Sequence, residues 1–199
     1  MHFLYKIPGY ILLLFGGFCL SWGGFIIRSF EEASVWQILL LRSVFFMIAL
    51  MIFLIVTYKK NTIKVITDAG YPALLGGLVM SLSFIAFVVS MSITTVANVV
   101  FIISTQTMFL AIFGYFYLKE KVSLISFFSI ILAMGGITIM VGDSLSTGSF
   151  FGNLIALAIP INFSILVMII RKNKNLDMVP AIFYSGIFSI IYGLILSES

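Results

Sequence analysis

The residues able to do chemistry are few, and nearly all of them interrupt long apolar runs. Trp22 stands in the run 9–27, Arg42 in 35–58, Asn98, Thr105 and Gln106 in 95–118, Pro160 and Asn162 in 150–170, and Tyr184 in 178–197. The chemistry they offer is recognition. A guanidinium forks onto a carboxylate or phosphate. An amide must find hydrogen-bond partners once it leaves water. Nothing assembles a reaction centre: no run holds paired carboxylates, no nucleophile is set with a histidine, and no glycine loop carries a phosphate-binding lysine. His2 and Cys19 are single, so they make neither a zinc site nor an internal disulfide. No enzymatic activity, metal or cofactor is expected.

The runs themselves are the elements that position these groups. Crossing a bilayer takes about 20 apolar residues in a helix. Seven runs qualify: 9–27, 35–58, 72–92, 95–118, 123–142, 150–170 and 178–197. They are too long for soluble strands and lack the alternation of outer-membrane strands. Of 199 residues, 62% are hydrophobic and only 9% charged, too few charges to clothe a soluble surface. A soluble monomer and a disordered chain are excluded. A nucleic-acid binder is excluded too, despite a net charge of +4, because the charges sit in short clusters between the runs. The fold class is therefore all-α, a polytopic transmembrane helix bundle of about seven spans with the lipid bilayer as its partner. Lys6 and the small residues around Trp22 give the first run a weak resemblance to a signal peptide, but six further runs make it a span.

Charge orients the bundle. Nine of the eleven basic residues fall on one side, at the N-terminus and in alternate gaps: Lys6, Lys59, Lys60, Lys64, Lys119, Lys121, Arg171, Lys172 and Lys174. Arg28 lies opposite and Arg42 inside a span. Lysine and arginine stay in the cytoplasm, so the N-terminus is expected there.

A shift of 143 residues lays the last two runs over the first two. Gly9 meets Gly152, Ser21 meets Ser164, and Ser21–Phe53 overlies Ser164–Leu196 without a gap. The copies are five spans apart, an odd number, so they are inverted in the membrane. The gap charges agree: Arg28, Glu31 and Glu32 give −1 in one copy, and Arg171, Lys172, Lys174 and Asp177 give +2 in the other. Inverted repeats are a plan of secondary transporters, whose halves rock around a midplane site. Residues 1–145 read as a first five-span repeat and 146–199 as the first two spans of a second. On that reading the chain is the N-terminal part of a ten-span protein, with a natural seven-span protein as the alternative.

Thr94-Thr95-Val96-Ala97-Asn98 through Ser104-Thr105-Gln106, then Leu118-Lys119-Glu120-Lys121-Val122-Ser123 and Gly135-Gly136-Ile137, resemble the drug/metabolite transporter superfamily of the EamA type. Arg42 early in the second span and the five-plus-five layout fit it as well. The resemblance implies secondary transport of small metabolites, often export of amino acids or related compounds, across a bacterial inner membrane. Thr107 stands where many members carry proline, so no proline is there to break the fourth span. The first span lacks the acidic residue of the small multidrug-resistance branch, so that proton–cation mechanism does not transfer.

Each candidate has two readings. Arg42 lies roughly 10 Å from the start of its run. It either snorkels toward headgroups and Glu31 or Glu32, or faces a cavity and receives an anion. Asn98, Ile102 and Gln106 share one helix face, flanked by Thr94 and Thr105, with Gln106 about 16 Å deep. They are interhelical glue or a recognition stripe. Pro160 leaves the Ala156 carbonyl without its helical donor beside Asn162 and Ser164, as a bent packing helix or a transporter hinge. Trp22 and Tyr184 anchor at an interface or line the cavity. Gly17 with Ser21, and Gly77 with Ser81, have the four-residue spacing of close helix packing. Glu120 sits between Lys119 and Lys121 as a solvated local ion pair, or, as the resemblance implies, in a structural or gating contact. The functional reading is alternating-access transport of a small polar metabolite, with a homodimer compatible. Its rivals are a non-transporting membrane scaffold and an inactive fragment.

Overall fold

The computed structural model describes residues 8–29, 34–121, 123–147 and 149–197. They form helices α1 (Gly9–Ser29), α2 (Val35–Tyr58), α3 (Thr62–Asp68), α4 (Gly70–Ile93), α5 (Val96–Ser104), α6 (Gln106–Leu118), α7 (Leu124–Thr147), α8 (Phe150–Lys172) and α9 (Val179–Ser197). Strands are absent among the described residues. Five stretches are long and apolar enough to cross a membrane: Val35–Asp68, Gly70–Ile93, Val96–Leu118, Phe150–Lys172 and Val179–Ser197. Gly9–Phe18 and Leu124–Ile139 are shorter apolar stretches within α1 and α7. The protein is a multi-pass helical membrane protein.

Helix ends follow local chemistry. Ser34 and Gln37 form a reciprocal capping box at the start of α2, satisfying two otherwise orphaned N–H groups. Lys59, at φ 51°, ends that helix, and Lys119, at φ 54°, ends α6 in the left-handed region. After α2 a 3₁₀ turn at Lys59–Asn61 leads into α3. Thr62 makes this turn stable by donating its hydroxyl to the carbonyls of Leu54, at 3.3 Å, and Lys59, at 2.8 Å. Residues 62–68 are rich in β-branched side chains and have no helical signature of their own.

α4 is the central post. It packs along α8 and α9, and α2 packs along α9. α1 touches mainly α4, and α7 mainly α8 and α6, so both are peripheral. Lipid supplies no hydrophobic drive between helices, so close packing through small residues must hold them. Gly76, Gly77, Ser81, Ser83 and Ala86 are buried on α4; Gly76 faces Leu166 of α8 and Ala181 of α9, and Gly77 faces Ala181 and Ser185 of α9. One apolar cluster joins Leu39, Val88, Met91, Val99, Ile102 and Ala156, and a second joins Ala69, Ala73, Leu166, Met178 and Ala181. Small residues also bring α9 onto α2, where Gly193 meets Leu40 and Gly186 meets Met47. The close approach expected at Gly77 and Ser81 is present. At Gly17 it is not: an added Cβ would meet nothing within 4 Å, because α1 reaches its neighbours farther along, at Gly23 and Phe87. The side chain of Ser21 lies outside the described set.

A Cβ at Gly77 would lie 2.9 Å from the Ala181 carbonyl oxygen and 3.0 Å from the Ser185 nitrogen, backbone atoms that cannot swing away. Gly77→Ala is expected to cost about 1–3 kcal/mol and to lower the thermal midpoint of the purified protein. Gly135→Ala, where nothing lies within 4 Å, is the control and is expected to be neutral or stabilising.

Candidate functional site

Two polar levels and a broken middle organise the bundle. One end carries Lys59, Lys60, Lys64, Lys119, Lys121, Arg171, Lys172 and Lys174 and is called the basic end here. The other, the far end, is where α4 finishes and α2, α5 and α8 begin.

At the far end, Thr94, Asn98 and Asn153 form a hydrogen-bonded cluster. The Thr94 hydroxyl donates to Asn153 Oδ1 at 2.7 Å. Asn98 Nδ2 donates to the same oxygen and to Thr94 Oγ1, both at 3.3 Å. Asn153 is fully buried, and its Nδ2 has no partner among the described residues. Gly152 makes this approach possible, because an added Cβ would lie 2.6 Å from Thr94 Cβ.

From that cluster α5–α6 and α8 run side by side. Thr105 lies seven residues beyond Asn98, and Pro160 lies seven beyond Asn153. Both therefore sit about 10 Å from the cluster, at one depth. Thr105 is a break: it separates α5 from α6 without any proline. Ser104 Oγ bonds the Phe101 carbonyl at 2.6 Å. The Thr105 N–H turns to the Ile102 carbonyl, 3.1 Å away, and the Thr105 hydroxyl binds the same oxygen at 2.6 Å. Pro160, fully buried, supplies no N–H to the Ala156 carbonyl, while Ser164 Oγ binds the Pro160 carbonyl at 2.7 Å. Gln106 lies next to Thr105, and Asn162 two residues beyond Pro160. Both are partly buried, and neither side chain bonds a described residue.

Arg42 points across the bundle, not along it. Its guanidinium carbon lies 4.8 Å from the Phe84 ring centre and 5.1 Å from that of Phe87, both on α4. Cation–π contacts are worth about 0.5–2 kcal/mol each. An arginine deep in a span costs at least about 2.5–3.5 kcal/mol, so the rings offset only part of it. Glu31 and Glu32 lie outside the described residues. Within the described set, the ion pair is that of Arg171 with Glu120.

That pair ties the basic end. Arg171 donates to both Glu120 oxygens, at 2.8 and 3.0 Å. The left-handed turn at Lys119 and the bond from Glu120 N–H to the Gly114 carbonyl, 3.2 Å, fold the carboxylate over Gly114, where a Cβ would collide with it at 2.8 Å. Glu120 thus pairs across helices and not with its neighbours Lys119 and Lys121. Nearby, the Tyr58 hydroxyl donates to Asp177, joining α2 to the turn before α9.

Two expected cavity residues stand apart from this arrangement. Trp22 is 51% exposed, and its ring contacts among the described residues are edge-on with Phe18 and Phe25 of its own helix. Tyr184 lies toward the basic end, packed on Gly77 with its hydroxyl bonded to the Ile66 carbonyl at 3.2 Å, so it braces α3. Asn153, Phe84, Phe87 and Arg171 are the partners that reading residues singly overlooks. The equal seven-residue spacings from Asn98 to Thr105 and from Asn153 to Pro160 are a signal that could have found Asn153. A cleft of about 520 Å³ opens between α5–α6 and α7 beside the break. The hydroxyls of Ser104, Thr105 and Ser129 that line it bond carbonyls of their own helices, Ser126 pairs with Ser123, and Thr107 also lines it.

Compared with known families, residues 7–142 match the EamA-like transporter family, a span that takes in α1 to α6 and most of α7. No curated protein matches the chain, and no solved structure does.

Asn153→Ala removes the shared acceptor of Thr94 and Asn98. Interhelical bonds of this kind are worth about 0.6–2 kcal/mol in membranes, and a drop in thermal midpoint of a few degrees is expected. Ser83→Ala deletes a buried hydroxyl with no partner and is expected to leave stability unchanged or raised. For Glu120 and Arg171, 52% and 41% exposed, a double-mutant cycle of Gln substitutions is expected to give a coupling of only about 0.2–1 kcal/mol.

Proposed function

The chain belongs to the EamA-like transporter family, and we propose that it is a secondary transporter exporting a small polar metabolite, amino-acid-like in size, by alternating access across a bacterial inner membrane. The observation that carries this reading is a pair of weakened hydrogen-bond ladders at one depth, at Thr105 between α5 and α6 and at Pro160 inside the continuous helix α8. Each lies between a polar tie at the far end and an ionic tie at the basic end. Two adjacent helices weakened at the same level can part at one end while staying joined at the other. Gln106 and Asn162 stand at that level with unspent amides, suited to a polar solute. A scaffold with no transport cycle would have these amides bonded between helices, which disfavours that rival. Arg42, Asn98 and Thr105 border the same far half of the bundle. Trp22 is set aside from the site, and Tyr184 is assigned to bracing.

The positive-inside rule supports placing the basic end, and with it the N-terminus, in the cytoplasm. We further propose that residues 1–145 are one five-span repeat and that 146–199 open an inverted second. The family match spans nearly all of the first unit. The contacts Leu40–Gly193 and Met47–Gly186 set α2 antiparallel to α9 with Phe45 level with Phe188. These residues lie near the middle of each helix and are related by the 143-residue shift. A two-fold axis in the membrane plane requires such a crossing.

Counterflow of amino acids and related metabolites into proteoliposomes holding the full-length protein tests the reading. Uptake above protein-free vesicles is expected, and its absence across the panel contradicts it. Pro160→Ala restores a donor for the Ala156 carbonyl and stiffens α8. It is expected to slow flux several-fold while the protein keeps its thermal midpoint. Unchanged flux would remove Pro160 from the mechanism.

A further inference from the structure

We propose that Arg42 is an anion receptor within the membrane and that the transported solute presents to it a single carboxylate. This inference rests on the transporter reading and names the substrate class of that site. Depth is the first argument. α2 and α4 run in opposite directions. Arg42 is seven residues from the far end of α2, and Phe87 and Phe84 are six and nine residues from the far end of α4. The guanidinium therefore stays at the level of its own backbone. A snorkelling side chain would reach toward Met91 and Thr94 instead.

Surroundings are the second argument. Phe84 and Phe87 present ring faces to the cation, and Phe46 packs edge-on against Phe84 at 5.4 Å. Gly23 of α1 lies against Phe87, where an added Cβ would be 3.9 Å from the ring. Ring faces attract the charge but cannot take the in-plane N–H pairs of the guanidinium, which suit a carboxylate in bidentate register. Arg42 makes no hydrogen bond to a described residue, and no described carboxylate lies within 4.0 Å of it.

Charge balance is the third. Among the described residues, Arg42 is the one charged side chain deep in a span. One cation in a medium of low dielectric is neutralised by one anion. Phosphate, carrying closer to two charges at neutral pH, would leave an excess. The solute is therefore a monocarboxylate whose remaining polar groups are uncharged, or weakly held by amides such as Gln106.

The test is equilibrium binding of radiolabelled benzoate to the purified full-length protein, with butyrate, benzamide and inorganic phosphate as competitors. Saturable binding is expected, displaced by butyrate, poorly by phosphate and not by benzamide. Arg42→Lys should weaken it by about 10- to 100-fold, the value of charge-assisted bonds lost with the fork. Arg42→Gln should abolish it while keeping the thermal midpoint, and Lys64→Gln should leave it unchanged. Benzamide competing as well as butyrate, binding that survives Arg42→Gln, or no benzoate binding by the wild type would each overturn the proposal. So would binding that appears only after Glu31→Gln with Glu32→Gln, since the cation would then be neutralised within the chain. Flux that is indifferent to Arg42 would leave the transporter reading standing without this site. Benzoate bound at Arg42 with no flux of any solute would do the reverse.

Discussion

Lipid neither pushes helices together nor hydrates their polar groups, and the whole arrangement answers that constraint. Cohesion has to come from close contact, so the bundle is built around α4, whose buried face is glycine, serine and alanine. Gly76 and Gly77 admit α8 and α9 to distances that a methyl group would forbid. The same device at Gly186 and Gly193 seats α9 on α2. Large side chains are turned outward, where an acyl chain is as good a neighbour as another leucine.

The polar groups answer the same constraint differently at each level. At the far end, Thr94, Asn98 and Asn153 satisfy most of one another's needs across three helices. At the basic end, the pairs Arg171–Glu120 and Tyr58–Asp177 lie where water is near, and they are accordingly cheap to break. The middle is where satisfaction is incomplete. Thr105 separates α5 from α6 there, Pro160 leaves one carbonyl of the continuous α8 without its helical donor, and Gln106 and Asn162 hold amides without described partners. A bundle with firm but breakable ends and a bendable, under-bonded middle is suited to opening at one end at a time around a polar solute.

Much of this was legible in the sequence, and the exceptions are instructive. The seven runs delimit the helices to within a few residues, and 35–58 coincides with α2. Hydropathy suffices there because a span is defined by length and apolarity alone. Helix α3 was hidden because its residues favour strand, and only the Thr62 bonds to α2 make it a helix. The break in the fourth span was hidden because proline was the signal sought, whereas Thr105 turns there without one, its N–H and hydroxyl both on the Ile102 carbonyl. Trp22 and Tyr184 looked equivalent to the other polar residues along the chain. Depth and direction separate them, and those depend on how helices cross. Arg42 had two readings of equal standing until the positions of Phe84 and Phe87 fixed its direction.

The central claim is that the two ends open reciprocally about the level of Thr105 and Pro160. The most direct measurement is a pair of spin-label distances on the full-length protein in lipid, with Cys19 replaced by serine. One pair, Ala97→Cys with Phe151→Cys, spans the far end, and the other, Lys121→Cys with Lys174→Cys, spans the basic end. On adding a transported solute, one distance should lengthen as the other shortens. Distances that stay fixed, or that change together in the same sense, would contradict the account.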